Sequence, residues 1–313
     1  MRKKITIIGA GKVGSQAAMI TAYKQLGDIM IWNRNEGIAK GVALDILESS
    51  PVDDFDIDII GTADYKDTAR SDIIVVTAGA PRQAGQSRDD LLLSNASIVK
   101  DVVQNTTKYS MDAVLVIVTN PLDAMVWLAH HVSYFPRNRV VGMAGILDTS
   151  RFKSFIAREL NVSVEDVTAM VLGGHGDFML PLPSYASVNG IPINELLPKQ
   201  KIDEIIERTR KGGEEIIKLE QNSAFFAPAY ALVEMIEAVV KDKKRILPCA
   251  ALLQGEYGIR NLFMGVPVKL GANGVEEIIE LHLTDKENKE FLVSAESIKK
   301  MNDKLVEKRV VSI

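Results

Sequence analysis

The first half of the chain alternates short apolar runs with longer stretches of helical periodicity. Runs rich in apolar and β-branched residues occupy 5–8, 29–32, 56–60, 73–76, 114–118 and 140–142, and helical spacing occupies 13–26, 38–47, 91–109 and 122–132. Because most of these runs are apolar throughout, the strands are expected to be covered by helices on both faces. This pattern predicts the α/β class, with a doubly wound parallel sheet over residues 1–145.

The pattern changes after about residue 145. It predicts a helix at 149–160, short strands between 167 and 193, helical stretches over 202–240, strands at 250–253, 262–264 and 266–270, and a closing helix at 287–308. No linker rich in Ser, Gly or Pro separates the two halves. We therefore expect a mixed α+β domain over residues 146–313 that packs closely against the first, with room for a site between them.

Composition and charge describe an ordinary globular protein of 313 residues, 47% hydrophobic and 25% charged. The net charge of −4, with scattered basic residues, argues against a nucleic-acid partner. The longest apolar stretches, such as 113–118, are far shorter than the roughly 20 residues of a membrane-spanning helix. A strand begins within the first few residues, so we expect no signal peptide, no membrane partner and a cytoplasmic location. Cys249 is the only cysteine, which excludes an internal disulfide and a cysteine-based metal site.

A glycine-rich turn follows the first predicted strand. Residues 9–14 read Gly-Ala-Gly-Lys-Val-Gly and open the first predicted helix. Glycines in a strand-to-helix turn let the backbone approach a pyrophosphate, while the helix N-terminus supplies N–H groups and a positive dipole. The motif alone is weak, because glycines collect in any tight turn. Its place between a strand and a helix, followed by further βαβ units, predicts a Rossmann-type dinucleotide-binding domain.

The residue expected to distinguish NAD from NADP departs from the usual pattern. An acidic side chain about 20 residues after the glycine turn normally binds the ribose 2′-hydroxyl of NAD. This sequence has Asn33 there, followed by Arg34. Loss of a carboxylate removes repulsion of a 2′-phosphate, and a guanidinium could pair with that phosphate. Either NADP is accepted, or Asn33 still binds the hydroxyl and Arg34 faces solvent.

Six segments, in order along essentially the whole chain, resemble the lactate and malate dehydrogenase family, in particular its lactate-dehydrogenase-like malate dehydrogenase branch. They are 9–14, 77–82 (Thr-Ala-Gly-Ala-Pro-Arg), 87–92 (Ser-Arg-Asp-Asp-Leu-Leu), 118–123 (Val-Thr-Asn-Pro-Leu-Asp), 147–152 (Leu-Asp-Thr-Ser-Arg-Phe) and 173–177 (Gly-Gly-His-Gly-Asp). The resemblance implies reversible oxidation of (S)-malate to oxaloacetate, with hydride passing to the nicotinamide of NAD or NADP. It also implies a homotetramer or homodimer, for which the apolar helical stretches 39–47 and 230–240 could supply surfaces.

His175, Asp148 and Arg151 are the candidates for chemistry in the second half. His175 lies in a glycine-flanked turn, where an imidazole that titrates near neutral pH is the side chain best able to face a cleft. Asp148 and Arg151 are three residues apart at the start of a helix and therefore share one face. By resemblance, His175 is the acid/base, Asp148 orients it, and Arg151 binds the C1 carboxylate of the substrate. The simpler alternatives are a histidine that caps a turn and an aspartate that caps a helix.

The loop at 79–90 and the end of the fifth predicted strand supply further candidates. The loop is rich in Gly, Pro and Arg and is expected to be a surface lid. By resemblance, Arg88 polarises the reacting carbonyl, and Arg82 pairs with the second carboxylate of a dicarboxylate substrate. Gln83 follows Arg82, and glutamine at the selecting position would indicate lactate instead. Asn120, at the carboxyl end of a strand, resembles the residue that binds the reacting oxygen.

The remaining expectations concern the cofactor, metals and other functions. No metal is expected, and Ala224 is expected to line the substrate pocket by resemblance. Two alternative functions stay open, namely a lactate or broad 2-hydroxyacid dehydrogenase and a non-catalytic regulatory protein that binds dinucleotides. A complete set of acid/base and carboxylate-binding residues argues against the second. The predicted cofactor-binding residues are Gly9, Gly11, Lys12, Val13, Gly14, Asn33, Arg34, Asn95 and Asn120.

Overall fold

The computed structural model describes residues 2–80 and 87–311, so the predicted roles of Arg82, Gln83 and the Arg88 side chain lie outside what it describes. The strands are β1 (Lys4–Ile8), β2 (Asp28–Trp32), β3 (Ile59–Thr62), β4 (Ile73–Val76), β5 (Val114–Ile117), β6 (Val140–Gly142), β7 (Val167–Thr168), β8 (Val171–Gly173), β9 (Met179–Pro181), β10 (Ser187–Val188), β11 (Ile191–Pro192), β12 (Arg245–Gln254), β13 (Arg260–Gly271) and β14 (Gly274–Ile278). The α-helices are α1 (Lys12–Tyr23), α2 (Glu36–Asp53), α3 (Arg88–Thr107), α4 (Leu122–Ser133), α5 (Gly145–Leu160), α6 (Ile193–Leu196), α7 (Lys199–Glu220), α8 (Phe226–Val240) and α9 (Asp285–Glu307).

The first six strands form a parallel sheet in the order β3-β2-β1-β4-β5-β6. The order reverses between β1 and β4, and the loops at the carboxyl ends of two such strands diverge and leave a crevice. One of these loops is the glycine turn after β1, and the other begins at Thr77 after β4. The predicted Rossmann-type doubly wound sheet is confirmed.

Both faces of the parallel sheet are covered, because alternate side chains of its strands enter two different hydrophobic cores. Ile7 and Val75 belong to the core that also contains side chains of α1, α2 and α8. Ile74 and Leu115 belong to the core on the opposite face, with side chains of α3 and α4. This two-sided burial explains why the strands read as continuous apolar runs in the sequence.

The second half extends the same sheet. β12 and β13 form a long antiparallel pair, and Ala250 of β12 pairs with Gly142 of β6. The sheet continues through β8 and β9, with β14 as a branch on β13, and comprises eleven strands. Side chains of α5, α7 and the small sheet β11-β10-β7 enclose a third core. The first core also receives side chains from β12 and β13, so one hydrophobic core joins the two predicted domains.

Several element boundaries differ from the sequence prediction. β3 begins at Ile59 rather than at residue 56, because the N–H of Asp58 donates to the side-chain carboxylate of Asp28 and not to a backbone carbonyl of β2. The runs at 262–264 and 266–270 are one strand, since Gly265 continues the β13 ladder, and β14 was not predicted. α3 begins at Arg88 because Ser87 caps it, which shortens the predicted loop. None of the described helices is long and apolar enough to cross a membrane.

Candidate active site

The glycine turn after β1 fits a bound dinucleotide. Gly9 has a φ of +112°, in the region that favours glycine. A Cβ on Gly9 would lie 2.8 Å from the backbone nitrogen of Ala78, and a Cβ on Gly14 would overlap the carbonyl oxygen of Gly9. Gly11 has open space where a Cβ would be, and it precedes α1 without a side chain to cap the first helical turn. The N–H groups of that turn therefore remain suited to a pyrophosphate.

The start of α8 borders the glycine turn. The ammonium of Lys12, the first residue of α1, lies 5.3 Å from the ring centroid of Phe225, which immediately precedes α8. Val13 is half-buried beside it. Ala224 is half-buried in the connection between α7 and α8. A segment of the second half is thus brought next to the predicted dinucleotide site of the first.

Asn33 and Arg34 follow β2 beside the glycine turn. The N–H of Gly9 donates to the carbonyl oxygen of Trp32 at 2.8 Å, so the end of β2 adjoins the turn. The side-chain oxygen of Asn33 accepts the N–H of Asn35 at 2.9 Å. Arg34 is exposed and forms no ion pair with any residue in 2–80 or 87–311. Both residues lie just after the carboxyl end of β2, and their role in cofactor binding stays a prediction.

Asn95 ties together the loops that follow β4 and β5. Its Oδ1 accepts the N–H of Ala80 at 2.7 Å, and its Nδ2 donates to the carbonyl oxygens of Ala80 at 3.2 Å and Asn120 at 2.7 Å. The side chain is buried and its amide is committed to the backbone, so its part in a cofactor site would be to hold these loops. Asn120 is exposed and lies three residues after the carboxyl end of β5.

His175 lies in a turn between β8 and β9 that is fixed through its backbone. Gly173 and Gly176 have φ values of +80° and +118°, which only glycine adopts readily. Between them, the N–H of Gly174 donates to Ser294 Oγ of α9 at 2.7 Å, and the N–H of His175 donates to Asp123 Oδ2 of α4 at 2.9 Å. Two helices therefore hold two consecutive amides of the turn.

Asp148 is the centre of the cluster that the sequence predicted. Its Oδ2 lies 2.9 Å from His175 Nδ1, and its Oδ1 accepts a hydrogen bond from Arg151 Nη1 at 3.2 Å. The Asp148 side chain is 1% exposed, whereas His175 and Arg151 are 15% and 13% exposed. α5 begins at Gly145, so Asp148 lies within its first turn and does not cap it. The alternative of a helix-capping aspartate is therefore wrong.

The surroundings of His175 favour its protonated form. Burial alone would lower the pKa of His175, but the charge and hydrogen bond of Asp148 raise it, and the charge of Asp123 adds to the increase. Arg151 opposes these effects without reversing them, and the net pKa shift is upward. The imidazole can therefore keep a proton at a higher pH than an isolated histidine, which suits a group that delivers one to a reacting oxygen.

Two residues that shape this cluster were not predicted. Asp123 is buried in the first turn of α4, and the signal for it was a carboxylate in a mostly apolar helix. Gly212 is buried in α7, and a Cβ there would lie 2.9 Å from Cδ of Arg151. Its signal was the pair of glycines inside a helical stretch, which costs helix stability and so suggests close approach of a neighbour. Cys249 takes no part, since it is buried among apolar residues and burial raises the pKa of its thiol.

The fold and the two parts of the site are those of a dehydrogenase family built from a dinucleotide-binding half and a substrate half. Residues 3–142 match the family model of the lactate/malate dehydrogenase NAD-binding domain, and residues 146–309 match that of the lactate/malate dehydrogenase α/β C-terminal domain. The chain belongs to the lactate/malate dehydrogenase family, and its first half is the NAD-binding domain of that family.

Particular relatives are similar over nearly the whole chain. A malate dehydrogenase of Roseiflexus castenholzii is 52% identical over 299 residues, which cover 95% of this chain and 97% of the relative. The structure of malate dehydrogenase from Salinibacter ruber has a TM-score of 0.94 and 48% identity, covering 98% of both chains. The lactate dehydrogenase of Cryptosporidium parvum, solved with lactic acid and nicotinamide adenine dinucleotide, has a TM-score of 0.95 and 41% identity, again covering 98% of both.

Proposed function

We propose that this protein catalyses the reversible oxidation of (S)-malate to oxaloacetate with a nicotinamide dinucleotide. The observation that carries the proposal is that the buried carboxylate of Asp148 contacts both His175 and Arg151. One charge thereby brings a proton-transfer group and a carboxylate-binding group into one place. The relatives of highest identity described above are malate dehydrogenases, which supports malate as the substrate.

Each member of the cluster has a distinct task in this proposal. Nε2 of His175 accepts the hydroxyl proton of malate and returns it to oxaloacetate, while Asp148 stabilises the imidazolium through Nδ1. Arg151 presents its remaining donors to the C1 carboxylate of the substrate. A bound nicotinamide dinucleotide would supply the acceptor for the C2 hydride of malate, or the donor in the reverse direction. Asn120 and Arg88 bind the reacting oxygen, Asn120 from the end of β5.

Substrate choice rests on Arg82, which lies outside the described residues. An arginine at this position pairs with the second carboxylate of oxaloacetate, whereas pyruvate has only one carboxylate. The second candidate is a lactate or broad 2-hydroxyacid dehydrogenase. It is favoured by the close structural likeness to a lactate dehydrogenase and by Gln83, which stands next to Arg82.

The test of the proposed reaction is the initial rate of NADH oxidation by the purified protein with oxaloacetate and, separately, with pyruvate. Oxaloacetate has one carboxylate for Arg151 and a second for Arg82, whereas pyruvate has only one. The value of kcat/KM with oxaloacetate is therefore expected to exceed that with pyruvate by at least about a hundredfold. A preference for pyruvate would instead assign substrate selection to Gln83. An absence of turnover with either acid would favour the non-catalytic dinucleotide-binding protein.

We also propose that NADP is accepted beside NAD. Asn33 carries no charge to repel a 2′-phosphate, and the exposed Arg34 guanidinium has no ion-pair partner among the side chains that the structure describes. Asn33→Asp is expected to lower the ratio of kcat/KM for NADPH to that for NADH about tenfold or more, since a carboxylate repels the phosphate and binds a 2′-hydroxyl. Asn35→Asp, two residues further on, is the control. A ratio unchanged by Asn33→Asp would mean that Asn33 does not face the ribose.

A homotetramer or homodimer is proposed from the exposed apolar side chains of the two helices that the sequence singled out. On α2 these are Ile38, Leu44 and Leu47, which are 48%, 55% and 45% exposed, and on α8 they are Phe226 and Tyr230, which are 58% and 60% exposed. Apolar side chains in such number on two helices are typical of subunit interfaces. Light scattering during size-exclusion chromatography should give the mass of two or four chains, and a monomer mass would contradict the proposal. A cytoplasmic location stays a prediction from the sequence.

The glycine pair of α7 predicts a selective defect in substrate binding. Gly212→Ala places a Cβ 2.9 Å from Cδ of Arg151, so the guanidinium must shift, and the KM for oxaloacetate is expected to rise about tenfold. Gly213→Ala is the matched control, because its Cβ lies 3.6 Å from Nη2, an ordinary contact distance. Both substitutions raise helix propensity by about 1 kcal/mol, so the two variants differ in their contact with Arg151 and not in helix propensity. Equal KM values in the two variants would remove Gly212 from the site.

A further inference from the structure

Asp123 is a buried carboxylate beside the acid/base histidine that the proposed reaction does not use. The residue is 1% exposed and lies in the first turn of a helix whose other residues are mostly apolar and buried. Oδ2 accepts the backbone N–H of His175 at 2.9 Å, and Oδ1 has no hydrogen-bond partner among the described residues. A buried carboxylate with one oxygen unpartnered costs stability, so its retention in the core calls for a function.

Ser294 provides a neutral counterpart to Asp123 in the same turn. Its hydroxyl accepts the N–H of Gly174 at 2.7 Å, one residue before the amide that Asp123 accepts. The two side chains come from α9 and α4 and make equivalent contacts with consecutive amides. They differ in charge, because one acceptor is a hydroxyl and the other can be ionised. A neutral acceptor is therefore enough to hold a backbone amide of this turn. The negative charge of Asp123 is not needed for such a contact.

That charge acts on the imidazole. Among the side chains that the structure describes, the charged groups that act on His175 are Asp148 and Arg151 of α5 and Asp123 of α4, while α9 presents the neutral Ser294 and Ile298 to the turn. Asp123 is itself affected by His175 and Asp148. Burial raises the pKa of Asp123 to about 7, although the charge of His175 and the hydrogen bond from its N–H lower it. The ionised form of Asp123 and the protonated form of His175 therefore support each other.

We infer that Asp123 is a positioning residue of the acid/base site, which holds His175 through its backbone amide and, as a carboxylate, favours the protonated imidazole. The inference rests on the proposed role of His175. Asp123 touches neither the imidazole ring nor the reacting atoms through any contact of the described residues, and it acts through the N–H of His175 and through its charge. It is a second buried carboxylate of the site, carried by α4 whereas Asp148 is carried by α5.

The test compares pH profiles of kcat/KM for oxaloacetate reduction in the purified protein, Asp123→Asn and Ser294→Ala. Reduction needs protonated His175, so kcat/KM falls as the pH rises through the pKa of that group. Asp123→Asn keeps an oxygen for the His175 amide but removes the charge, so this fall is expected about 0.5 to 1 pH unit lower. Ser294→Ala loosens the same turn without removing a charge. It is expected to lower kcat, while kcat/KM falls at the same pH as in the unaltered protein.

Other outcomes separate this inference from the proposed function. If Asp123→Asn does not fold, Asp123→Ser, which is smaller and equally neutral, must give the same downward shift. A profile of either folded variant that coincides with that of the unaltered protein, while His175→Asn is inactive, overturns the inference and leaves the proposed function intact. Full activity of His175→Asn would overturn both, because the acid/base would then lie elsewhere.

Discussion

His175→Asn lowers kcat for oxaloacetate reduction about a thousandfold and leaves KM within a few fold of its original value. The asparagine side chain can still donate to Asp148 in place of Nδ1, so the buried carboxylate keeps a partner and Arg151 keeps its position. What is lost is the second ring nitrogen, the only part of the cluster that can carry the reacting proton. Steady-state rates with NADH, at a pH below the fall in the profile, measure the effect.

The matched control for this variant is His282→Asn. His282 is exposed in the segment between β14 and α9. Its backbone oxygen accepts a hydrogen bond from the Tyr185 hydroxyl, and its imidazole forms no hydrogen bond with the described residues. The kcat of His282→Asn for oxaloacetate reduction should equal that of the unaltered protein. A loss of kcat smaller than about tenfold in His175→Asn would assign the proton transfer to another group or to water.

Asp148→Asn is expected to impair both kinetic constants, unlike His175→Asn. The amide cannot stabilise an imidazolium as a carboxylate does, and it presents one oxygen where His175 and Arg151 now use two. We expect kcat/KM to fall by about three to four orders of magnitude, with kcat lowered by the histidine effect and KM raised by the displaced arginine. Separate determination of kcat and KM from full saturation curves distinguishes the two contributions.

The control for Asp148→Asn is Asp203→Asn, which makes the same change of charge at an exposed position of α7. It should leave both constants unchanged. If Asp148→Asn changed only kcat, Arg151 would not depend on this carboxylate, and the shared contact would be incidental to substrate binding. Circular dichroism of each variant establishes that the fold is intact.

Much of this architecture could be predicted because its causes are local in sequence. Apolar runs fix the parallel strands, and the three-residue spacing of Asp148 and Arg151 fixes their common face. The contact between Asp123 and the amide of His175 spans 52 residues and involves a backbone group, which no side-chain pattern reveals. Nor does a helical period predict that Gly212 will face Arg151, since that depends on how α5 and α7 pack. Local rules therefore predict the helices, the strands and the reactive side chains. The contacts that hold those side chains in place depend on tertiary packing and could not be predicted.

The hydrophobic core shared by β1, β4, β12 and β13 has a mechanical consequence. A protein whose halves have separate cores can close by rotating them, whereas rotation here would break β6–β12 pairing and expose apolar surface. The glycine turn and His175 are therefore joined by one continuous sheet and not across a hinge between separate cores. We expect ligands at the two ends of the site to meet without a rotation of one half of the chain against the other.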